Sequence, residues 1–399
     1  MMDVLIDTDA ADRLVADMLP ALPGERIALR EAIGRVLRQI VRAETAQPPF
    51  DRVMMDGVAL RWRDELSRRL RVAGAQMAGE VGQALRDDDD CIDVTTGAVL
   101  PEGCDCVIPV ERFRRDGDVV ALEEGYDPAR GQFIHRRGAD CAEGAVVLEG
   151  GVRIGGPEMS MLASNGVATV EVARAPRIAI ISTGDELVPV EATLRPGQIR
   201  RSNDLALAAS LERGGFDRVS LHHVLDDRDA VRDSLDALLR AHDVLVLSGG
   251  VSMGQRDFVP DCLESLGVRC VLHGIAQRPG KPIWVGIGPE SQAVFALPGN
   301  PVSSLVCMTR YVRPALLRAS GLAVPVEYAS IRGDTGKPLR LARFLPVRLE
   351  SDPSGTLLAH ARGWSNSGDF TALGGTHGIV ELPPERSIAE GAPVRVFRW

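Results

Sequence analysis

The segment DVLVLSGGVSMGQRD (243–257) contains the pattern that decides the fold. Its apolar run DVLVL predicts a buried strand, and the glycines and serines after it predict a turn at the carboxyl end of that strand. The preceding stretch, RDAVRDSLDALLRA (228–241), predicts an amphipathic helix whose apolar face consists of Val231, Leu235, Leu238 and Leu239. A helix followed directly by a buried strand is typical of a parallel sheet that helices cover on both faces.

The same alternation continues on both sides of this segment, from residue 176 to residue 321. Further strands are predicted at RIAII (177–181), RVSLHHV (218–224) and AVFAL (293–297). Further helices are predicted at SNDLALAASLERGG (202–215), PDCLESLG (260–267) and PVSSLVCMTRYVRPALLRASG (301–321). Together these elements predict a doubly wound parallel sheet.

The flanking segments predict other kinds of structure. They are a helix at 9–19, a second helix at 27–42, a β-rich module with many glycine turns at 68–150, and a helix at 157–170 that Gly166 closes before a strand. After Gly321, five short apolar runs predict a small all-β domain.

Length and composition restrict the class of protein. A chain of 399 residues suggests two to four domains, and its net charge of −9 argues against a general nucleic-acid binder. The seven cysteines are scattered without zinc-site spacing, which is typical of reduced thiols inside a cell. The N-terminus lacks the pattern of a secretory signal, and no apolar run is long enough to cross a membrane. We therefore expect a cytoplasmic protein without nucleic-acid or membrane partners.

Three of the predicted strands end in loops rich in small residues, STGDEL (182–187), SGGVSMGQRD (248–257) and PGNPVSS (298–304). Ligands of open parallel sheets bind at the carboxyl ends of the strands. Glycine lets backbone N–H groups approach an anion closely, and a helix that begins at PGNPVSS favours negative charge at its N-terminus. Asp185, Glu186 and Asp257 add carboxylates, so the loops predict a site for a phosphorylated ligand and a divalent cation. Each loop alone is more typical of an ordinary turn, and no dinucleotide or P-loop motif is present.

Eight segments occur in an order that resembles one known family. They are FDRVMMDGVA (50–59), TTGAVLPEGCDCVI (95–108), RRGAD (136–140), ISTGDEL (181–187), IRRSNDLAL (199–207), SGGVSMGQRD (248–257), RPGKP (278–282) and ALPGNPVSS (296–304). Together they resemble the molybdopterin molybdenumtransferase family, MoeA and the gephyrin E domain, over essentially the whole chain.

The resemblance implies a multidomain α/β plus β fold. Its parts would be a central doubly wound parallel-sheet (molybdopterin-binding, MogA-like) domain, a β-rich inserted domain, an elongated linking domain and a small C-terminal β-barrel. The implied boundaries are 24–42 and 145–172 for the linking domain, 43–144 for the inserted domain, 1–23 and 173–322 for the α/β domain, and 323–399 for the barrel.

The resemblance also implies an activity. Members of the family insert molybdate into adenylylated molybdopterin and release AMP, and Mg²⁺ assists the reaction. They are homodimers, and the site lies between the α/β domain of one subunit and the inserted domain of the other. Molybdopterin adenylyltransferase and molybdoenzyme chaperones are candidate partners.

Site residues follow from the motifs that match the family. Asp56, Glu186 and Asp257 would be catalytic, and Glu186, Asp226 and Asp257 would hold Mg²⁺. The substrate-binding residues would be Thr96, Asp140, Ser182, Thr183, Gly184, Ser248, Gly249, Gly250, Arg278, Lys281, Pro298, Gly299, Pro301 and Ser367. Without the resemblance, Asp56 is equally explained as a turn former, Glu186 as a helix-start carboxylate and Asp226 as a helix cap.

Three positions depart from the family pattern, and two alternatives to the implied activity stay open, the first because of these departures and the second because the α/β domain alone also resembles another family. Val53 and Val58 replace a serine and a tyrosine of the pattern near Asp56, and Gly274 replaces a lysine ahead of RPGKP. Losing that cation could weaken contact with an oxyanion. One alternative is a non-catalytic molybdopterin-binding scaffold, chaperone or divergent paralogue, and the other is a molybdopterin adenylyltransferase.

Overall fold

The computed structural model describes residues 5–251, 258–363 and 366–399. The chain forms two compact units. The larger unit comprises the described residues of 1–38, 150–154 and 170–399, and the smaller unit comprises 39–149 and 155–169. Within the described ranges, every helix is too short or too polar to cross a membrane.

The larger unit begins with helix α1 (Thr8–Met18), which confirms the helix predicted at 9–19. Asp7 caps it, because its Oδ1 accepts a hydrogen bond of 2.6 Å from the backbone N–H of Ala10. Ala11 and Val15 are fully buried on the face that packs against the sheet.

The helix predicted at 27–42 is wrong. The segment instead forms strand β1 (Gly24–Ala28), a single 3₁₀ turn and the two-residue strand β2 (Val41–Arg42). Gly34 has a φ of +76°, which a right-handed helix does not allow. The backbone N–H groups of Gly34 and Leu37 donate to the carbonyl groups of Ile154 and Val152, so long-range pairing replaces the helical hydrogen bonds.

The smaller unit is built mainly of strands, as predicted for 68–150. Its strands after β2 are β3 (Arg52–Val53), β4 (Gly57–Leu60), β5 (Arg69–Gln76), β6 (Asp90–Val94), β7 (Cys106–Pro109), β8 (Phe113–Asp116), β9 (Val119–Leu122), β10 (Ile134–His135) and β11 (Val146–Leu148). Six of them form a sheet in the order β7-β4-β6-β5-β9-β8, and β3 pairs with β10 and β2 with β11. Helix α2 (Gly156–Ser164) ends before Gly166, whose φ is +70°, as predicted.

The α/β part of the larger unit follows. Its strands are β12 (Thr169–Ala173), which pairs with β1, and then β13 (Ile178–Thr183), β14 (Leu187–Val188), β15 (Ile199–Arg200), β16 (Val219–Val224), β17 (Val244–Ser248), β18 (Arg269–His273), β19 (Gln277–Arg278), β20 (Trp284–Ile287) and β21 (Ala293–Leu297). Its helices are α3 (Asn203–Arg213), α4 (Arg228–Ala241), α5 (Val259–Ser265), α6 (Pro301–Cys307) and α7 (Arg313–Ala319), with a π-helical segment (Met308–Val312) joining the last two.

The central sheet has the strand order β16-β13-β17-β21-β20-β18. Its first four strands are parallel, as predicted. β20 is antiparallel to both of its neighbours, and neither it nor β18 was identified from the sequence. Separate apolar cores lie on the two faces, one containing residues of α1, α3 and α7 and the other residues of α4 and α5. The prediction of a doubly wound sheet is therefore confirmed, with one strand reversed.

The C-terminal strands form a closed barrel, which confirms the predicted all-β domain. They are β22 (Glu327–Arg332), β23 (Ala342–Ser351), β24 (Leu357–Ala361), β25 (Gly378–Leu382) and β26 (Pro393–Arg398). Pairing runs β23-β24-β22-β26-β25 and closes from β25 to β23. β19 pairs with β23 in parallel and places Arg278 beside Arg343. The predicted four-domain boundaries remain a prediction.

Candidate functional site

A cleft of about 720 Å³ lies in the larger unit, at the carboxyl ends of β13, β17 and β21. The three loops that the sequence singled out all contribute to its wall, and so do the RPGKP segment and a residue after the barrel's third strand. The predicted residues that line it are Ser182, Thr183, Gly184, Glu186, Asp226, Ser248, Gly249, Gly250, Arg278, Lys281, Pro298, Gly299, Pro301 and Ser367.

Two of the predicted metal-binding carboxylates, Glu186 and Asp226, lie in this cleft. The loops that carry them are joined, because the backbone N–H of Asp226 donates to Asp185 Oδ1 at 3.1 Å. Asp257, the third predicted ligand, lies outside the described residues. Among the residues that the structure does describe, no three His, Cys, Asp or Glu side chains form a metal-binding cluster.

The floor of the cleft has two hydroxyl groups without protein partners. Ser182 and Thr183, the last two residues of β13, are only 2% and 7% exposed. Neither Oγ of Ser182 nor Oγ1 of Thr183 has a hydrogen-bond partner. Buried polar groups are nearly always hydrogen-bonded, so this pair is suited to a polar ligand.

The role expected for the glycines after β17 is wrong in one respect. The N–H of Gly249 donates to the carbonyl of Leu297 at 3.1 Å and is therefore not directed at a ligand. Gly249 and Gly250 have φ values of +106° and +69°. A Cβ at Gly250 would lie 2.6 Å from Val259 Cγ2, inside the packed core. Turn conformation and close packing therefore explain why both positions are glycine.

Asn203 lies in the IRRSNDLAL motif and was not among the predicted site residues. Asn203 Nδ2 donates to Ser248 Oγ at 2.9 Å and to the carbonyl of Gly299 at 2.7 Å, so it joins two of the three loops. Ser367 is joined to the PGNPVSS loop in a similar way, because its Oγ accepts a 2.9 Å hydrogen bond from Asn300 Nδ2.

A smaller pocket of about 360 Å³ adjoins the cleft and shares Arg278 with it. Lys337, Arg343 and Arg362 also line this pocket, together with the carboxylate-bearing Asp334. Arg343 is only 6% exposed, and its Nε and Nη2 have no hydrogen-bond partner, while Nη1 donates to the carbonyl of Thr335. Burial lowers the pKa of Arg343, although nearby Asp334 opposes that effect. Arg343 was not among the predicted site residues, because only the pairing of β19 with β23 brings it beside Arg278.

The remaining predicted residues lie in the smaller unit. Asp56 Oδ1 accepts hydrogen bonds from the backbone N–H of Thr96 at 2.7 Å and from its Oγ1 at 2.8 Å. These bonds, the backbone one foremost, lower the pKa of Asp56 and keep this exposed carboxylate ionised. Asp140 Oδ1 lies 2.9 Å from His135 Nε2. The structure thus brings Asp56 and Thr96 together and gives Asp140 a different partner.

The three departures from the family pattern have structural explanations. Val53 and Val58 are buried in two apolar cores of the smaller unit, so neither side chain is directed at the solvent around Asp56. Gly274 has a φ of +85°, and a Cβ there would lie 2.8 Å from Leu5 Cδ2. A lysine at this position would require a different backbone conformation.

Comparison with known proteins agrees with this architecture. The protein named molybdopterin molybdenumtransferase in Synechocystis is 37% identical over 399 residues, which are 99% of this chain and 100% of that protein. The protein of the same name in Bacillus subtilis is 31% identical over 98% of this chain and 94% of its own length. The chain belongs to the molybdopterin molybdenumtransferase family.

Three family models each match one segment of the chain, and a solved structure of a family member matches nearly the whole chain. Residues 6–166 match the MoeA N-terminal region (domain I and II), 179–318 match a probable molybdopterin-binding domain, and 331–399 match the MoeA C-terminal region (domain IV). The crystal structure of the molybdopterin biosynthesis MoeA protein from Pyrococcus horikoshii has a TM-score of 0.81, 30% identity and 99% coverage of both chains. The predicted resemblance and fold class are therefore confirmed.

Proposed function

We propose that this protein inserts molybdate into adenylylated molybdopterin and releases AMP. The observation that carries the proposal is a single cleft in which two buried unpartnered hydroxyls, two carboxylates and a cationic rim formed by Arg278 and Lys281 lie together. The names of the full-length relatives support the same reaction class. Each part of the cleft suits a different part of the two substrates.

Arg278, Lys281 and Arg343 are assigned to the anionic oxygens of molybdate. Arg278 and Arg343 are neighbours on paired strands, and the unpartnered Nε and Nη2 of Arg343 offer two donors in the fixed geometry that suits an oxyanion. Lys281 lies on the cleft rim and adds a third positive charge. A buried guanidinium with two donors that lack a hydrogen-bond partner is costly unless an anion binds it.

Ser182, Thr183 and the loops joined by Asn203 are assigned to the adenylylated pterin. The two hydroxyls each provide a donor and an acceptor to a phosphate or pterin group. Asn203 fixes Ser248 relative to Gly299, so the loops after β17 and β21 keep one arrangement. Pro298 and Pro301 further restrict the loop after β21, since proline fixes φ.

Glu186 and Asp226, with Asp257 as the third candidate, fit a Mg²⁺ site. Mg²⁺ is usually held by one or two carboxylates together with substrate phosphates, and Glu186 and Asp226 line the same cleft as the proposed phosphate-binding groups. Bound there, Mg²⁺ would polarise the phosphoryl oxygens of the substrate. The carboxylates themselves orient the reacting groups, and their negative charge offsets the positive charge of the cationic rim.

We further propose a cytoplasmic homodimer of four-domain subunits, in which Asp56, Thr96 and Asp140 complete the cleft of the partner. Asp56 is exposed, ionised and held in one orientation by Thr96, which suits a residue that acts on a ligand bound by another chain. Molybdopterin adenylyltransferase and molybdoenzyme chaperones remain candidate partners.

The deciding experiment combines purified protein with adenylylated molybdopterin, molybdate and Mg²⁺ and follows AMP release. Glu186→Ala and Asp257→Ala are expected to bind the adenylylated pterin and to release no AMP. Glu191→Ala, a substitution of an exposed glutamate outside the cleft, is the control and keeps wild-type release. Pterin binding by the wild type without molybdate-dependent AMP release would support the scaffold alternative instead.

A further inference from the structure

The RPGKP segment (278–282) packs against a hydrogen-bonded network of three buried side chains, Gln277, Cys307 and Tyr311. Gln277 is the first residue of β19 and is fully buried, and the other two lie on the helix that follows the PGNP loop. Cys307 is the last residue of α6 and Tyr311 lies in the π-helical segment after it, and both side chains hydrogen-bond to Gln277.

Every polar group of the three side chains has a partner within the network or on the loop. The Tyr311 hydroxyl donates to Gln277 Oε1 at 2.5 Å. Gln277 Nε2 donates to the carbonyl of Pro279 at 3.0 Å and to Cys307 Sγ at 3.6 Å. The Cys307 thiol donates to the carbonyl of Gly280 at 3.7 Å. Two successive backbone carbonyls of the loop, those of Pro279 and Gly280, therefore accept hydrogen bonds from the network.

Steric contact restricts the loop in addition to the hydrogen bonds. Gly280 has a φ of +91°, and a Cβ there would lie 2.6 Å from both Cys307 Sγ and Gln277 Nε2. The loop backbone therefore packs in direct contact with the network. The side chains of Arg278 and Lys281 are exposed and line the cleft.

We propose that Gln277, Cys307 and Tyr311 are positioning residues that hold the RPGKP loop so that Arg278 meets the oxyanion beside Arg343. The proposal rests on the proposed function for the identity of the anion. Because the network contacts the loop and neither of the described cleft carboxylates, Glu186 and Asp226, it acts on the binding of molybdate and not on the release of AMP once molybdate is bound.

The two ionisable donors of the network, Tyr311 and Cys307, keep their protons at neutral pH. Burial raises the pKa of Tyr311 well above its usual range, and burial raises the pKa of Cys307 to about 12. The network therefore works as a fixed scaffold through the physiological pH range.

Tyr311→Phe tests the proposal, because it keeps the packing and removes one hydroxyl. Titration with molybdate alone is expected to show binding weakened about three- to tenfold, as for loss of one buried hydrogen bond. The KM for molybdate in the AMP-release assay rises by the same factor, and kcat at saturating molybdate stays within about twofold. Tyr328→Phe, on the exposed surface of β22, is the matched tyrosine control.

Two further comparisons separate positioning from general stability. Gln277→Leu is compared with Gln292→Leu, since Gln292 is also buried and hydrogen-bonded but lies at the turn between β20 and β21. Both lower the thermal midpoint, and only Gln277→Leu weakens molybdate binding. In an Arg278→Ala background, Tyr311→Phe is expected to have no additional effect on molybdate affinity.

Wild-type molybdate affinity in Tyr311→Phe would overturn the proposal, and so would an equal loss of affinity in the Arg278→Ala background. Failure of the proposed function has a different signature. In that case the wild type releases no AMP at all, while the molybdate titration of the variants still decides whether the network positions Arg278.

Discussion

The hydroxyl groups of Ser182 and Thr183 are buried and have no hydrogen-bond partner within the protein. Leaving such a group unsatisfied costs about 1–3 kcal/mol of folding free energy. Binding sites tolerate that cost when a ligand supplies the missing partner, so these residues are expected to oppose stability and favour affinity.

Thr183→Val tests this trade-off, because valine has nearly the same shape as threonine and lacks the hydroxyl. The free protein is expected to unfold at an equal or higher temperature, and the stabilisation that adenylylated molybdopterin gives is expected to fall. Differential scanning calorimetry with and without the pterin measures both. Thr309→Val is the control, since Thr309 Oγ1 is also buried and unpartnered but lies outside the cleft. Equal ligand stabilisation in both variants would contradict the assignment.

The cationic rim and its neighbour Arg343, in the adjoining pocket, provide the second test at this scale. Arg278→Ala, Lys281→Ala and Arg343→Ala are each expected to weaken molybdate binding by about tenfold or more, because each removes a charged partner of an oxyanion. Arg278→Ala and Lys281→Ala should leave the thermal midpoint near that of the wild type, since both side chains are exposed. Arg348→Ala, on the exposed surface of the barrel, serves as control for calorimetric titration. Normal binding by the first two variants would make RPGKP a structural turn only.

Residues within one motif could be predicted from the sequence, and residues that depend on long-range pairing could not. Ser182, Thr183 and Ser248 end apolar runs, and their position at strand ends follows from local pattern. Arg343 lies 65 positions after Arg278, and only strand pairing across the barrel brings them together. A local pattern contains no information about that pairing.

At the scale of elements, the same distinction explains the wrong helix at 27–42. Its apolar residues have helical spacing, yet Gly34 and pairing with residues 152–154 produce extended structure. β18 and β20 were missed for a related reason, because short strands near the end of a sheet have little periodicity of their own. The long amphipathic helix α4 was predicted well, since its pattern extends over 14 residues.

The turn after β17 supports a prediction at the element scale. Gly250→Ala introduces both an unfavourable positive φ and a contact of 2.6 Å with Val259 Cγ2, whereas Gly34→Ala introduces only the positive φ, with no atom within 4 Å. We expect Gly34→Ala to lower the free energy of unfolding by about 1–2 kcal/mol. Gly250→Ala should lower it by about 1–3 kcal/mol more, because an extra methyl group is forced into a packed core.

Chemical denaturation of both variants, with Val259→Ala added to Gly250→Ala, separates these effects. The second substitution is expected to recover part of the steric loss and none of the conformational strain. A loss of ligand affinity in Gly250→Val would then be indirect, through a distorted turn. Equal destabilisation at the two glycines would show that the contact with Val259 is relieved without cost.

At the scale of the whole molecule, the proposed dimer makes the cleft depend on two chains. Light scattering at micromolar concentration is expected to give twice the subunit mass of 42.9 kDa. A symmetric dimer has two equivalent sites, and each would combine the Glu186 of one chain with the Asp56 of the other. A monomer at that concentration would remove the shared site from consideration.

Mixed dimers test the sharing itself. Asp56→Ala and Glu186→Ala are each expected to abolish AMP release as homodimers. When one chain carries the first substitution and its partner the second, a shared arrangement leaves one site with both carboxylates intact and one site with neither. The heterodimer, purified through two different affinity tags, is therefore expected to release AMP at about half the wild-type rate. If each site is instead formed within one chain, every site in the heterodimer lacks one carboxylate, and no activity returns. Wild-type chains carrying the same two tags give the reference rate, so recovery of activity can be assigned to the arrangement of the two carboxylates and not to the tags.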